Sequence, residues 1–492
     1  MGYDRILIEA QRLNPKEGLK MRFLLIQPGN EGGNFRHSLG MVEPLGLEMI
    51  GAALARKHEV ELLDMRLSNM KELVRRIEDF KPQGCGISST FTVDYNQAVK
   101  ISEVIKGINP DIFVFVGGHH PSLQPEDFHL PSIDAIVVGE GEITASEMAD
   151  CLEAKGDLRK VAGLVINYPG GQLQTPQREL LGNLDQLLPP ARHLIDENWR
   201  HYRLTSRQPV SSVETARGCP YRCKFCSVWV FYKGRVRFKS PERVIREIEG
   251  TKSENIFFTD DNFFSNVARA KRIAELLKER GIKRKYIVQV RSDVIASHPE
   301  LVEMWTDVGL EVAFLGFEKA SQEELGSIEK RNTVENNERA LEILRSAGIE
   351  PMASFIVDPS YDKKDFAALR RYIKKLKLRF PSFTVLTPLP GTRLFEEFRD
   401  KLLCRNYNLF DLIHPVLPTR LPLRDFCKEF ARLYRTAYPP AYLFLMRIYV
   451  LLKSLKGQLI YSDWKQVFRD WIKLSDPKVY LSDIKQVCPN LK

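Results

Sequence analysis

Two series of short apolar runs, each followed by an amphipathic stretch, constrain the fold of this chain more than any other feature. "RFLLIQP", "EVELLD", "GCGISST", "IFVFVGG" and "AIVVGEGE" are strand-length, rich in Val, Ile and Phe, and end in Gly, Pro, Ser or acidic residues. Between them "LEMIGAALARK" and "YNQAVKISEVIKGI" carry helical periodicity. Strands separated in this way form a doubly wound parallel sheet, expected over residues 21–165 after an N-terminal extension, 1–20. Ligands of such sheets bind at the carboxyl ends of the strands, where this chain offers Gln27, Ser88, Ser89, Gly117, Gly118, Gly139, Glu140 and Gly141. Residues 166–210, broken by "YPGGQ" and "LLPPAR", are expected to be a linker. A second series, "SSVETARG", "NIFFTDDNFF", "KYIVQVRSD", "VAFLGFEKA", "EPMASFIVD" and "SFTVLTPLPG", predicts part or all of a β/α barrel over 211–395. Strand signals then fade, and 396–492 is expected to be helical. The fold class is therefore α/β with a helical C-terminal region.

The stretch "ARGCPYRCKFCSVW" follows the first strand of the second series, where a barrel carries its active site. It places Cys219, Cys223 and Cys226 within eight positions. A structural zinc ion takes four ligands, normally as two separated pairs, and no second pair or neighbouring histidine is present. Three thiolates suffice for a [4Fe-4S] cluster and leave its fourth iron open. A zinc site or a purely structural cluster is the competing reading. The other five cysteines, Cys85, Cys151, Cys404, Cys427 and Cys488, are scattered and read as reduced, small buried hydrophobes.

Length and composition narrow the class further. At 492 residues with 43% hydrophobic and 28% charged residues, the chain is expected to be globular with two or three domains. "MGYDRILIEAQRLNPKEGLK" lacks a secretory signal, so the protein is expected in the cytoplasm. The net charge of +10 sits mostly in the last fifth, where residues 396–492 hold 17 Lys/Arg against 10 Asp/Glu. No arginine-rich arm or zinc-finger spacing accompanies it, so a solvated basic surface is favoured over nucleic-acid binding.

The cysteine spacing, with Phe225 immediately before the last thiol, resembles the radical S-adenosylmethionine superfamily. The resemblance implies that the open iron chelates S-adenosylmethionine, whose reductive cleavage yields a 5'-deoxyadenosyl radical. It assigns to the cofactor Phe225, the strand-end residues Asp260, Asp261 and Asn262 near the methionyl ammonium, and Arg291 and Glu318 near its carboxylate and ribose. Helix capping by Asp261 and Asn262, and barrel-mouth ion pairing by Arg291 and Glu318, are the bland alternatives. Gly391 and Thr392 in "TPLPGTRLF" resemble the last turn of these barrels, or form an ordinary turn.

"MVEPLGLEMIGAALARKHEVELLDMR" and "VFVGGHHPSLQPEDF…AIVVGEGE" look like the cobalamin module of cobalamin-dependent radical S-adenosylmethionine enzymes, in matching domain order over residues 21–395. The Asp-x-His-x-x-Gly loop of methionine-synthase-type modules is absent; His37 lacks that context, so cobalt without a histidine ligand is inferred. His119 and His120 read as hydrogen-bonded loop residues, and the sheet's alternatives are a nucleotide site or a scaffold. The implied activity is methylation of an unactivated carbon through methylcobalamin, needing no protein acid or base. A methylthiotransferase is disfavoured, because residues 21–165 contain only Cys85 and Cys151.

"FCSVWVFYKGRVRFKSPERVIREIE", "HPVLPTRLPL" and the C-terminal region look most similar to the hopanoid C-3 methylases, implying a polycyclic lipid substrate. Methylases and cyclases of tetrapyrroles share the domain plan. An electron donor such as flavodoxin or ferredoxin is the implied partner. Residues 439–456, "PPAYLFLMRIYVLLKSLK", are too short and too charged for a clean bilayer span; they read either as an interfacial helix giving peripheral membrane contact or as a helix packed on the barrel. The reading from another class is an iron-sulfur or zinc protein that binds nucleic acid through its basic tail.

Overall fold

The computed structural model describes residues 20–29, 40–204, 207–457 and 461–488, in two compact units. His37 and most of the N-terminal extension lie outside the described residues. The first unit is built on a seven-stranded sheet whose spatial order is Glu59–Asp64, Arg22–Gln27, Gly84–Ser88, Phe113–Gly117, Ala135–Val137, Leu164–Tyr168 and Gly171–Gln174. The first five strands are parallel, and the central ones are buried on both faces, as their unbroken apolar runs require. Helices Leu45–Leu54, Met70–Phe80, Tyr95–Ile108 and Gly141–Glu153 connect them. Asn69 caps the second of these, its Oδ1 accepting from Lys71 N at 3.0 Å and Glu72 N at 3.3 Å.

The stretch expected to be a linker departs from that expectation at its start. Leu164–Tyr168 and Gly171–Gln174 form an antiparallel hairpin joined to Ala135–Val137, extending the sheet by two strands. The first of these strands is apolar only over Leu164–Ile166 and becomes exposed by Tyr168, and the second, "GQLQ", is polar and half exposed, so the pair lacks a sustained apolar run.

The second unit contains a six-stranded, all-parallel sheet in sequence order: Val210–Val213, Asn255–Phe258, Lys285–Val290, Leu310–Glu318, Glu350–Val357 and Ser382–Val385. It is a half-barrel with helices outside, among them Pro241–Glu249, Val267–Glu279, Val334–Ser346 and Lys363–Lys375. Trp305 is fully buried against Phe258, Phe263 and Tyr286, with ring centroids 5.9, 4.9 and 5.6 Å away and near-perpendicular planes. The aromatic residues of "FFTDDNFF" thus build core behind the acidic turn they flank.

Both edges of this sheet are covered. At one edge Val210 N donates to Tyr202 O at 3.0 Å, and Glu43 accepts from Ser212 N at 2.6 Å and Ser211 Oγ at 3.0 Å. At the other, Val385 N donates to Leu412 O and the Tyr434 hydroxyl donates to Phe383 O. Beyond residue 395 the chain is helical as expected, and Leu423–Ala437 and Pro477–Val487 share the barrel's own core through Phe426, Phe430 and Tyr480.

Two of the scattered cysteines depart from expectation. Cys404 and Cys488 are joined in a disulfide, with Cα atoms 6.2 Å apart across 84 residues. Spacing along the chain carries no signal of that proximity.

Candidate functional site

The mouth of the half-barrel gathers the residues singled out in the second series. Strand Val210–Val213 leads through Thr215 into the short antiparallel pair of Ala216–Arg217 with Arg237–Phe238, and the cysteine loop leaves from its end. Gly218 has φ +95°, and a Cβ there would stand 2.2 Å from Arg235 O, so only glycine lets the loop turn so close to its neighbour. Cys226 N then donates to Cys223 O at 3.1 Å, and the Trp229 indole donates to the same oxygen at 3.1 Å. Lys224 N donates to Ile328 O at 3.2 Å. Phe225 packs against Ile356, Leu386 and Leu394, pinning the loop to the last two strands.

Burial pushes the Cys226 thiol up to about 12 and raises Cys219 and Cys223 as well; neighbouring sulfurs add to the penalty on Cys219 and Cys226, and Glu318 to that on Cys223. Three thiolates are stable there only with a cationic centre among them. Among the described residues, the only three His, Cys, Asp or Glu donors that all converge within 4.8 Å are His58, Asp150 and Glu153. The three thiols are spread more widely than a single-ion site, a donor set that fits three corners of a cubane better than one zinc ion.

The predicted S-adenosylmethionine residues divide by how their polar atoms are used. Asn262 is 2% exposed, and neither side-chain Oδ1 nor Nδ2 has a partner among the described atoms. A buried amide left unpaired at a strand end beside the cysteine loop fits a polar ligand. Asp260 does not serve in that way: its Oδ1 accepts from Thr215 N at 2.6 Å and Ala216 N at 3.0 Å, and Oδ2 from the Thr215 hydroxyl. Burial raises its carboxyl to about 6. Asp260 therefore anchors the start of the cysteine loop, and Asp261 takes the Gly218 amide.

Arg291 and Glu318 are held in ion pairs, the alternative noted for both. Arg291 donates to Asp293 at 3.0 and 2.7 Å and to the carbonyls of Lys330 and Arg331 at 3.1 and 2.9 Å. Its guanidinium lies 3.5 Å from the ring centroid of Tyr221, inside the cysteine loop. Glu318, at φ +63°, binds Lys330 at 2.7 Å, both nearly buried. Thr392 caps the helix Arg393–Phe398 by accepting from Phe395 N at 3.1 Å. Sequence reasoning missed Thr215, Tyr221, Asp293 and Lys330; the first three lie within stretches already marked, in "SSVETARG", the cysteine loop and "KYIVQVRSD", and Lys330 does not.

In the first unit the strand-end residues form a shelf. Gly118 has φ +124°, and a Cβ would meet Ser89 and Thr90 backbone at 2.8 Å; Gly139, at φ +80°, faces open space. Ser122, unmarked by sequence, joins the two turns: its hydroxyl donates to Gly118 O at 2.6 Å and accepts from Gly139 N at 2.9 Å. Ser89 Oγ is buried without a partner, and Ser88 bonds Thr90 at 3.0 Å. Gln27 ends its strand beside Asp64, and Gly141 starts a helix. A glycine-lined shelf with a buried orphan hydroxyl fits a large flat ligand. The Glu140 carboxylate accepts from Leu181 N at 3.0 Å, a use within the protein. His120 is buried and bonds Asp127 at 2.9 Å, and burial pushes His119 down to about 4.

The fold and these two sites define an iron–sulfur half-barrel enzyme carrying a second ligand-binding module. Residues 34–149 match the B12 binding domain and residues 213–373 the Radical SAM superfamily. The chain is 33% identical to the hopanoid C-3 methylase of Methylococcus capsulatus, over 81% of this chain and 76% of that one. It is 28% identical to the anaerobic magnesium-protoporphyrin IX monomethyl ester cyclase of Rubrivivax gelatinosus, over 73% and 66%. Among solved structures, TsrM of Kitasatospora setae, with cobalamin and a [4Fe-4S] cluster bound, superposes with TM-score 0.66 at 18% identity over 93% and 99% of the two chains. OxsB, with aqua-cobalamin and S-adenosylmethionine bound, gives 0.67 at 18% over 95% and 75%. The chain belongs to the cobalamin-dependent radical S-adenosylmethionine methyltransferases. Its cofactors are cobalamin, S-adenosylmethionine and a [4Fe-4S] cluster.

Proposed function

We propose that this enzyme methylates an unactivated carbon of a polycyclic lipid, C-3 of ring A of a hopanoid. The observation that carries the reading is the 33% identity to a hopanoid C-3 methylase across both domains. Cys219, Cys223 and Cys226 hold the cluster, with Asn262 and Phe225 beside the S-adenosylmethionine; the shelf of Ser88, Ser89, Gly117, Gly118 and Gly139 takes the cobalamin. Together these groups supply hydrogen abstraction and methyl delivery, and a flavodoxin or ferredoxin supplies electrons. This chain's residues bind and orient: Asp260 with Thr215 fixes the loop's origin, the Arg291–Tyr221 contact holds its middle, and Phe225 closes its end.

A lipid substrate accords with the helix Pro440–Leu455. Its Phe444, Leu445, Leu452 and Leu455 are 63, 63, 54 and 77% exposed, among Arg447, Lys453 and Lys456. No helix among the described residues is long and apolar enough to cross a membrane. An apolar, basic surface of this kind suits the interface of an anionic bilayer, where a hopanoid resides. A tetrapyrrole is the second reading, favoured by the cyclase relative.

The test is anaerobic turnover of the reconstituted enzyme with a desmethyl hopanoid and, separately, a porphyrinoid, using methyl-labelled S-adenosylmethionine. Label in the hopanoid, lost in Cys226→Ala, is the expected result. Label in the porphyrinoid alone overturns the substrate. Co-sedimentation with anionic vesicles, weakened in Leu445→Asp/Leu452→Asp, tests the membrane contact.

A further inference from the structure

The amino-terminal side of the first unit's sheet, opposite the strand ends that form the cobalamin shelf, brings together three side chains that neither cofactor uses. Helix Gly141–Glu153 ends with Asp150 and Glu153 one turn apart on the same face. His58 stands just before strand Glu59–Asp64, its N–H bonded to Leu54 O at 3.0 Å. Its ring is buried, 6% exposed, in edge contact with Phe23 at 5.3 Å. Neither ring nitrogen has a hydrogen-bond partner among the described atoms. Nε2 faces Asp150 Oδ1 at 3.5 Å, and that oxygen is itself buried without a hydrogen bond. Glu153 completes a triad whose donor atoms all lie within 4.8 Å of one another.

Two physical facts point one way. A buried imidazole without a partner is penalised unless something takes its lone pair. Two carboxylates in the last turn of a helix oppose its dipole, and the local balance is restored by positive charge. Lys57 supplies part of that charge, its ammonium 2.6 Å from Asp150 Oδ2, and leaves Oδ1 aimed at His58. Two metal–ligand bonds of about 2.1 Å meeting at a tetrahedral angle put their ligand atoms about 3.4 Å apart. The observed 3.5 Å matches that spacing and is longer than a well-formed hydrogen bond between the same atoms.

We propose that His58, Asp150 and Glu153 form a binding site for a divalent transition-metal ion of the zinc class. His58 Nε2 and Asp150 Oδ1 are the fixed ligands, Glu153 is the exposed arm that closes on the ion, and water fills the remaining position. Lys57 orients Asp150 from outside the ligand set. The imidazole selects against calcium and magnesium, which prefer all-oxygen sites. The strand Arg22–Gln27 is six residues long, so the ion lies about 20 Å from the shelf and ties the helix end to the sheet without taking part in methyl transfer.

The test uses the full chain with cluster and cobalamin loaded, dialysed against micromolar zinc and analysed for metals and by zinc-edge absorption. The expected result is one zinc per chain in an all nitrogen-and-oxygen shell, and a raised melting temperature. Glu153→Gln, at an exposed position where folding is not at stake, weakens binding at least tenfold; His58→Gln abolishes it. Binding unchanged in Glu153→Gln, no retained zinc, or a sulfur shell from the cysteine loop overturns the proposal.

Discussion

Alanine at Gly218 perturbs the cysteine loop at a single atom. The residue sits at φ +95°, where a side chain costs about 1–3 kcal/mol. The new Cβ would also stand 2.2 Å from Arg235 O, against an ordinary contact near 3.4 Å, so the loop has to move by about an ångström beside Cys219. Arg235 is held close by, because residues 237 and 238 pair with 216 and 217. Taking about 2–3 kcal/mol for strain and displacement together, the loop's closed form falls about 30- to 150-fold relative to open forms. Gly218→Ala is therefore expected to retain little iron after anaerobic reconstitution and gel filtration, with loss of the charge-transfer absorption. Gly281→Ala is the control: its φ is +63° but nothing lies within 4 Å of the new Cβ. It should lose about 1 kcal/mol and keep full iron content. Equal iron loading in both variants would refute the reasoning, since the clash and not the torsion alone is held responsible.

Asp260→Asn replaces the anchor of Thr215 and Ala216 by a neutral amide with one acceptor; a loss of about 1–3 kcal/mol in urea midpoint and reduced iron retention are expected, and unchanged values would remove its anchoring role. Ser122→Ala unties Gly118 from Gly139, and aquacobalamin titrated by absorbance should bind about tenfold more weakly, for about 1–2 kcal/mol lost. His414 is buried; burial works to lower its pKa, but Asp411 at 2.9 Å and Asp483 at 3.7 Å outweigh it and raise the value. Its contribution is thus full below about pH 6.5, the unfolded value, and is lost as pH rises through the higher folded value. Urea midpoints should fall over that range and flatten in His414→Gln.

The parallel strands of both sheets were legible because most carry a short apolar run with little exposure, as in "FVFVG" and "NIFF". The hairpin 164–174 was not, since its apolar run stops after three residues and its second strand, an antiparallel edge, is polar. The cysteine loop announced itself by spacing alone. Roles within the mouth were less visible: "TDDN" marked the right turn, yet whether a carboxylate serves a ligand or the chain depends on Thr215, 45 residues earlier. Glu318 and Lys330 likewise meet only through folding, and the surplus buried charge at the mouth found protein partners before any cofactor. Asn262 has no such partner, and its amide stays open to a ligand.

A barrel left half built has a hazard that a closed one escapes: each rim strand is a template on which a stranger's backbone can lay itself down. Glu43 and Tyr202 occupy one rim, Leu412 and Tyr434 the other. Removing the Glu43 carboxylate would bare Ser211 and Ser212 to passing chains, so its first symptom should be sticky, fibril-prone material at high concentration while the cluster itself still forms.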